Sequence, residues 1–477
     1  MTGRPPQPLS ARAPIAAEPA PREARRRERL GWYAYDLANS AFPTTVLAVF
    51  LGPHLTRVAG SAAGPDGSVD VLGVGVRHEA YYTLVVAVAA VLQAIVLPVA
   101  GAVADHTGRK RALLGAFAGL GACATFAMYL VYGERYLLGG ALFALGQIGY
   151  AAAVVVYNSF LPEIAGPAER DSVSARGMAA GYLGGGVLLA FDLLLFVKHA
   201  SFGLSEVTAV RIALGSAGLW WGCWTVVPLL WLRDRPAVPA IGSTAEHGAR
   251  GAARTAAGSL RRLRRTLPEL RRYPRTLLFL LAYLVYNSGM QAVLNFAAIY
   301  AGHRLALPQE ARIGAILMVQ FVAVGGALLL ARLAGAFGAQ RTVLGALAGW
   351  TSVVGIAYFL RPGAVVPFLA LAAVIGIVMG GAQSLSRSMF SQIIPAGREA
   401  EHFSLYELGD KIATFLGALV ITVALQATGG YRSAILPLSA FFVAGIALLA
   451  SVNMRRAIND ATSVSGPDPQ KVQPTAR

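Results

Sequence analysis

Charge is the first thing this chain has little of. Only 14% of its 477 residues are Asp, Glu, Lys or Arg, against about 25% in a soluble globular domain. Cysteine is scarcer. Cys123 and Cys223 both fall inside apolar runs; they are too few for a thiolate cluster and read as buried free thiols rather than a disulfide. No P-loop, HExxH, GxSxG or paired histidine ligands occur, so ATP-driven pumping and metal-dependent hydrolysis have no support, and no enzyme activity, cofactor or metal is expected. The net charge of +17 comes without any nucleic-acid-binding motif, and the arginines sit mostly between apolar runs and in the tails, where a positive-inside bias explains them. Residues 1–29 lack the apolar core of a signal peptide and read as a disordered, Arg-rich cytoplasmic tail.

What fills the chain instead is long apolar runs, 56% of residues being hydrophobic. A bilayer crossing takes roughly 20 such residues. The first run is Gly31–His54. A long Gly-rich loop follows, and then runs near 80–104, 112–132, 137–161, 176–197 and 208–232. Six more lie near 276–301, 311–334, 342–360, 364–390, 403–427 and 431–454. The expected fold is therefore an all-α integral membrane protein with 12 transmembrane helices in two pseudo-symmetric six-helix bundles. Residues 30–232 and 276–454 are expected to form the bundles, 233–275 a basic cytoplasmic linker that is either a solvated connector or a helix lying on anionic headgroups, and 455–477 a second cytoplasmic tail. The even count puts both termini on one side. Lys/Arg enrichment in alternate loops, including Arg109, Lys110, Arg111, Arg170 and Arg176, places that side in the cytoplasm of a plasma (inner) membrane.

The halves repeat weakly but in register. Tyr35-Asp36 corresponds to Tyr286-Asn287, GAVADHTGRKR (Gly101–Arg111) to ARLAGAFGAQR, with Gly108 over Gly338 and Arg111 over Arg341, and Pro162 to Pro395. Two related halves joined by a linker are the pattern of a major facilitator.

GAVADHTGRKR resembles the signature of the major facilitator superfamily. YDLANSAF (35–42), YNSFLPEI (157–164), GYLGGG (181–186), QSLSRSMFSQIIP (383–395) and FSLYELGDKIATFLG (403–417) resemble its autophagy-linked vacuolar amino-acid effluxer branch and the bacterial relatives of that branch. The resemblance implies secondary transport. It links the fungal members to amino-acid export from the vacuole and gives the bacterial members no substrate. It also implies that helices 1, 4, 7 and 10 line the pathway and that the Gly101–Arg111 loop latches the halves. Two positions depart from the pattern: the seventh run reads Tyr286-Asn287-Ser288-Gly289-Met290-Gln291, without the acidic residue expected there, and Gly335 stands where an Asp is expected. Both departures fall at carboxylates on which the carry-over of ion coupling depends.

Polar residues concentrate in the runs that the resemblance assigns to the pathway. Asp36 and Asn39 lie in the first. An aspartate near a bilayer centre costs about 2.5–3.5 kcal/mol on insertion scales. Asp36 therefore either faces the pathway or snorkels to the membrane edge. Gln147, Asn158 and Glu163 lie in the fourth run. Asn287, Gln291 and Asn295 share one face of the seventh, where they either bind polar substrate groups or bridge helices. Gln383, Ser384 and Arg387 lie in the tenth. Arg387 is read as binding a substrate carboxylate or pairing with a carboxylate of the other half as an inner gate, against snorkelling or a fixed pair involving Glu407. The latch residues are Gly101, Asp105, Gly108, Arg109 and Arg111, with Asp105 expected to meet the positive end of the eleventh helix near Phe403–Glu407. Asp192 and Glu163 are the two carboxylates considered for proton coupling. The function expected is export of a small polar solute, amino acids or similar, by alternating access, with protons as a possible coupling ion and a monomer in the bilayer. The alternative is drug or metabolite efflux through an apolar cavity involving Tyr35, Phe42, Tyr286 and Met290; a non-transporting scaffold is the remaining contrast.

Overall fold

The computed structural model describes residues 22–235 and 273–463. The basic linker segment 236–272, the first 21 residues and the last 14 lie outside the described residues, and so does the expectation of a headgroup-lying helix in the linker. Eleven helices are long and apolar enough to cross a membrane. In chain order the main helices are α1 (Arg22–Asn39), α2 (Leu51–Ser61), α3 (His78–Thr107), α4 (Lys110–Ala127), α5 (Tyr136–Ser159), α6 (Arg170–Val197) and α7 (Glu206–Trp231). They continue with α8 (Pro274–His303), α9 (Gln309–Phe337), α10 (Ala339–Phe359), α11 (Val365–Gln392), α12 (Glu399–Thr428), α13 (Pro437–Ser451) and α14 (Met454–Ser463). The eleven spans are α3 to α13, with short extensions at three of them.

The first apolar run, Gly31–His54, is the one that does not form a regular α-helix. Between α1 and α2 the chain is π-helical over Phe42–Phe50. The cause is local. Pro43 has no N–H to give to Asn39, so the i→i−4 ladder is interrupted. Ser40 and Thr44 then turn their hydroxyls back onto the carbonyls of Asp36 (2.7 Å) and Ser40 (2.6 Å). The helical path nevertheless runs from Arg22 to Ser61 with little interruption.

Several boundaries differ from the sequence reading. α1 starts at Arg22, inside the segment expected to be a disordered tail. Arg27 pairs with Glu23 one turn back, and Arg29 reaches Glu169 (2.6 Å), which anchors this end to the loop before α6. The segment read as a tail from 455 is helical as far as Ser463. α14 is an amphipathic helix with Ala457 and Ala461 buried and Asp460 bonded to Arg275 (2.6 Å). The loop after α2 carries a hairpin, β1 (Ser68–Val71) and β2 (Val74–Arg77), paired Val71 to Val74 across the two-residue turn Leu72-Gly73. Cys123 and Cys223 are free as expected, but both are exposed rather than buried. They sit on the apolar outer faces of α4 and α7.

Two hydrophobic cores result. One is built from residues between Trp32 and Leu232, with Ala400 of α12 as its single outside member; the other runs from Phe279 to Ala457. The two sets of helices meet along α3 with α12, α5 with α12, α6 with α9 and α6 with α11.

Candidate functional site

The centre of the site is an arginine on α11 enclosed by protein. Arg387 is buried, with 5% of its surface exposed, and Asp36 of α1 is 6% exposed. The Arg387 Nη2 lies 3.1 Å from the Asp36 Oδ2, and its Nη1 lies 3.5 Å from Oδ1. Its Nε donates to the Ser174 hydroxyl (3.0 Å) and Nη2 also donates to the Ser174 carbonyl (2.8 Å). The guanidinium lies over the Trp32 ring at 4.7 Å, and Trp32 in turn stacks on Tyr157. Trp32 is fixed by its own Nε1 bond to the Tyr157 carbonyl (3.0 Å). A permanently charged group in such a place needs a paired carboxylate and further acceptors, and it has both. Of the sequence alternatives, the geometry is that of a pair across the two halves. Glu407 does not take part as the ion partner. It accepts instead from Asn158 of α5 (3.0 Å), a second contact between the halves.

The remaining pathway candidates separate into groups. Asn287 and Gln291 of α8 both donate to one oxygen of Asp410 (2.9 and 2.8 Å), and Lys411 meets its other oxygen (3.1 Å). The two amides therefore bridge α8 to α12. The carboxylate that meets this face of α8 comes from α12. Asn295, the third member of that stripe, is exposed. Gln383 accepts from the Tyr182 hydroxyl of α6, and the Ser384 carbonyl accepts from Ser174 (2.7 Å). Asn39 is buried one turn beyond Asp36. Gln147 is partly buried and its Oε1 has no partner, as have the buried Tyr35 and Tyr157 hydroxyls. Tyr35, Phe42, Tyr286 and Met290, named for an apolar cavity, are fully buried core side chains. Asp192 lies between Ser216 of α7 (2.8 Å) and Thr45 of the π-helical stretch (3.3 Å).

Glu163, expected near the end of the fourth run, lies past Ser159, where α5 ends, on the short turn Leu161–Ile164. There its two oxygens meet Lys110 (2.7 Å) and Arg235 (2.9 Å). It joins the charged cluster around the residues of the expected latch.

The expected latch is a contact built on two glycines and a capped helix. Gly108, at φ 63°, makes the left-handed turn that ends α3. A Cβ at Gly101 would lie 2.5 Å from the Ala400 carbonyl oxygen, so only glycine lets α3 approach the start of α12 this closely. Asp105 then accepts from the Ala400 N–H (3.0 Å) and the Glu401 N–H (2.8 Å), meeting the positive end of α12 one turn earlier than the Phe403–Glu407 expected. The cation beside it is Lys110, which reaches Glu163, Glu399 (3.4 Å) and Asp105 (3.7 Å). The expected latch cations, Arg109 and Arg111, lie elsewhere. Arg109 is exposed, and Arg111 faces Asp234 at the other side of α4. Successive helical residues point about 100° apart, so of three adjacent cations only one can face α12. Nearby, Arg170 donates to the Ser391 carbonyl (2.7 Å), Ser388 bonds to Asp171, and the Arg29 guanidinium holds the exposed Glu169 carboxyl below the usual carboxylate range.

These contacts share one property. Among the described residues, every hydrogen bond and ion pair between 22–235 and 273–463 lies between the latch and Tyr182–Gln383. Tyr182 is 12 residues into α6, roughly 18 Å from Arg170 at 1.5 Å per residue. Past that depth the described residues of the two halves touch without polar bonds.

Sequence reasoning missed Lys110, Ser174, Trp32, Asp410 and Lys411. The last two were visible as a Gly-Asp-Lys interruption of an apolar run; Ser174 and Trp32 carry no signal outside the fold.

Comparison with known proteins agrees with this architecture. The family model described as "Vacuole effluxer Atg22 like" matches residues 24–462. An uncharacterized MFS-type transporter of Bacillus subtilis, YxiO, is 27% identical over 429 residues, covering 89% of this chain and 95% of the relative. Autophagy-related protein 22-2 of Emericella nidulans is 25% identical over 550 residues, covering 92% of each. Among solved structures, the proton:xylose symporter XylE bound to 6-bromo-6-deoxy-D-glucose aligns with a TM-score of 0.67 at 14% identity, over 93% of this chain and 99% of that one. That last likeness establishes the fold alone. With the family model spanning almost all of the described residues, the chain belongs to the Atg22-like vacuole effluxer family, a branch of the major facilitator transporters, and is a multi-pass membrane protein.

Proposed function

We propose that this chain is a secondary transporter that exports a small polar solute, with amino acids the first class to test, by rocking two six-helix halves about the Asp36–Arg387 pair. Counting Arg22–Ser61 as a first crossing brings the eleven spans to twelve and puts both chain ends on one side. The cationic loops at the latch support a cytoplasmic side for that end, with the plasma membrane as the proposed location. The observation that carries the reading is the one-sided distribution of polar bonds between the halves. A rigid scaffold has no reason to bond its halves at one end only. A rocker must release one end to open it. In this arrangement the cytoplasmic end is latched and the opposite end is free to part.

Arg387 then has two tasks at different times. While the latch is closed, its counter-ion is Asp36. When the halves separate at that end, the pair breaks, and a solute carboxylate is the group with the right charge and fork geometry to replace Asp36. Asp410 and Lys411, tied to Asn287 and Gln291, supply a second pair of opposite charges on α12 for the polar ends of such a solute.

The test is flux into proteoliposomes holding the full chain, with labelled amino acids and two internal pH values. Saturable flux that is lost with Arg387→Ala supports the reading, and a dependence on the pH gradient adds protons as the coupling ion. Flux no greater than that of empty liposomes for every amino acid, together with drug resistance in cells making the protein, would assign it to drug or metabolite efflux instead.

A further inference from the structure

The two halves differ at one pair of corresponding corners. In the first half, α4 starts just after the Gly108 turn and α7 ends at Trp231, followed by an extended Leu232 that is fully buried. Two residues later, Asp234 accepts from the Arg111 backbone N–H (2.6 Å) and faces its side chain (4.0 Å). In the second half, α10 starts just after Gly338 and α13 ends at Ser451, followed by an extended and buried Val452. Gln340 locks this corner by donating to the Leu449 and Val452 carbonyls, both at 2.8 Å. Two residues after Val452 stands Met454, where the first half has Asp234. Arg341, the counterpart of Arg111, therefore has no carboxylate at the position of Asp234. Among the described residues it makes no ion pair.

An open recess of about 550 Å³ occupies that corner, lined by Gln340, Arg341, Ser451, Asn453, Met454 and Arg455. Arg341 and Arg455 are both exposed, and Arg455 also lacks an ion pair among the described residues. Only two residues separate α13, a membrane-spanning helix, from α14. α14 is held in place by its buried Ala457 and Ala461 and by the Asp460–Arg275 bond, and its Arg455 and Arg456 face outward. It is thus fixed beside the end of a bilayer crossing, at the depth of lipid headgroups.

We propose that the recess between Arg341 and Arg455 binds the phosphate of an anionic phospholipid, which supplies the negative charge that Asp234 supplies in the first half. Guanidinium pairs match phosphate oxygens in geometry as well as charge, and basic pockets between helices at this depth suit acidic headgroups. The lipid would tie α14 and the start of α10 together, as Asp234 ties the chain after α7 to α4.

The full chain in detergent, titrated with phosphatidylglycerol and followed by native mass spectrometry, tests this. Phosphatidylcholine is the neutral control and inorganic phosphate the competitor. The expected result is one tightly held phosphatidylglycerol per chain that phosphatidylcholine does not replace. The combined Arg341→Gln and Arg455→Gln variant should hold that one lipid about thirtyfold more weakly. Met454→Asp, which leaves both arginines in place but gives them an internal carboxylate, should also lose it. Unchanged retention in either variant, equal retention of phosphatidylcholine, or displacement by inorganic phosphate at equal concentration would overturn the proposal.

Discussion

Arg387 gathers Asp36, Ser174 and the Trp32 ring around one guanidinium, and each of these comes from the first half of the chain. Removing the carboxylate while leaving the cation is the expensive change, because it strands a buried charge. Asp36→Asn should therefore destabilise the latched state by about 3–5 kcal/mol. The double variant Asp36→Asn with Arg387→Gln should recover a large part of that loss, measured by thermal unfolding in detergent; additive losses would mean the two are not coupled. Arg387→Lys keeps the charge but has no planar fork, and should lower flux while keeping the fold; flux equal to the unaltered protein would dismiss a role for the fork. At this scale the sequence was half legible. A lone arginine in an apolar run announces that it needs a partner, but several carboxylates were eligible, and only packing decides between Asp36 and Glu407. For the same reason Lys110 was passed over for its flanking arginines: composition shows three cations, and the helix phase that selects one is fixed by contacts with α12.

Two elements carry the mechanical part of the account. α3 ends on α12 through Asp105, whose carboxylate meets two otherwise orphaned N–H groups. Asp105→Asn keeps the shape and removes the charge. A helix cap of this kind is worth about 1 kcal/mol, so the latched fraction should fall about fivefold relative to the open one. Cysteine labelling from the two sides of the membrane reads that change, and unchanged labelling on both would count against the latch. The other element is the π-helical stretch beside Pro43, which carries Thr45 to Asp192. Pro43→Ala restores the missing N–H and should straighten the segment. Flux should slow while helix content by circular dichroism stays constant; normal flux would show that the irregularity is not used. The apolar run Gly31–His54 gave the position of this crossing but not its break. Pro43 and the Ser40–Thr44 back-bonding are visible in the sequence, yet whether a proline yields a kink, a π-turn or an end depends on the neighbouring helices.

For the molecule as a whole, periodic apolar runs and the offset repeat of Gly108 on Gly338 were enough to lay out the helices. In lipid the backbone has few other ways to satisfy itself. The hairpin Ser68–Arg77, the early start of α1 and the docking of α14 were not legible, since they lie where polar sequence permits both loop and structure. The latch, the charge pair and the bond-free far end combine into one claim: opening at one end accompanies closing at the other. Pairs of spin labels report it directly, in a chain with Cys123 and Cys223 replaced. One pair at the exposed positions His106 and Ala396 spans the latched end, and another at Phe202 and Arg361 spans the opposite end. On introducing Asp105→Asn, or on adding a transported solute, the first distance should lengthen as the second shortens. Two distances that stay fixed, or that lengthen together, would contradict the rocking of two halves about Asp36 and Arg387.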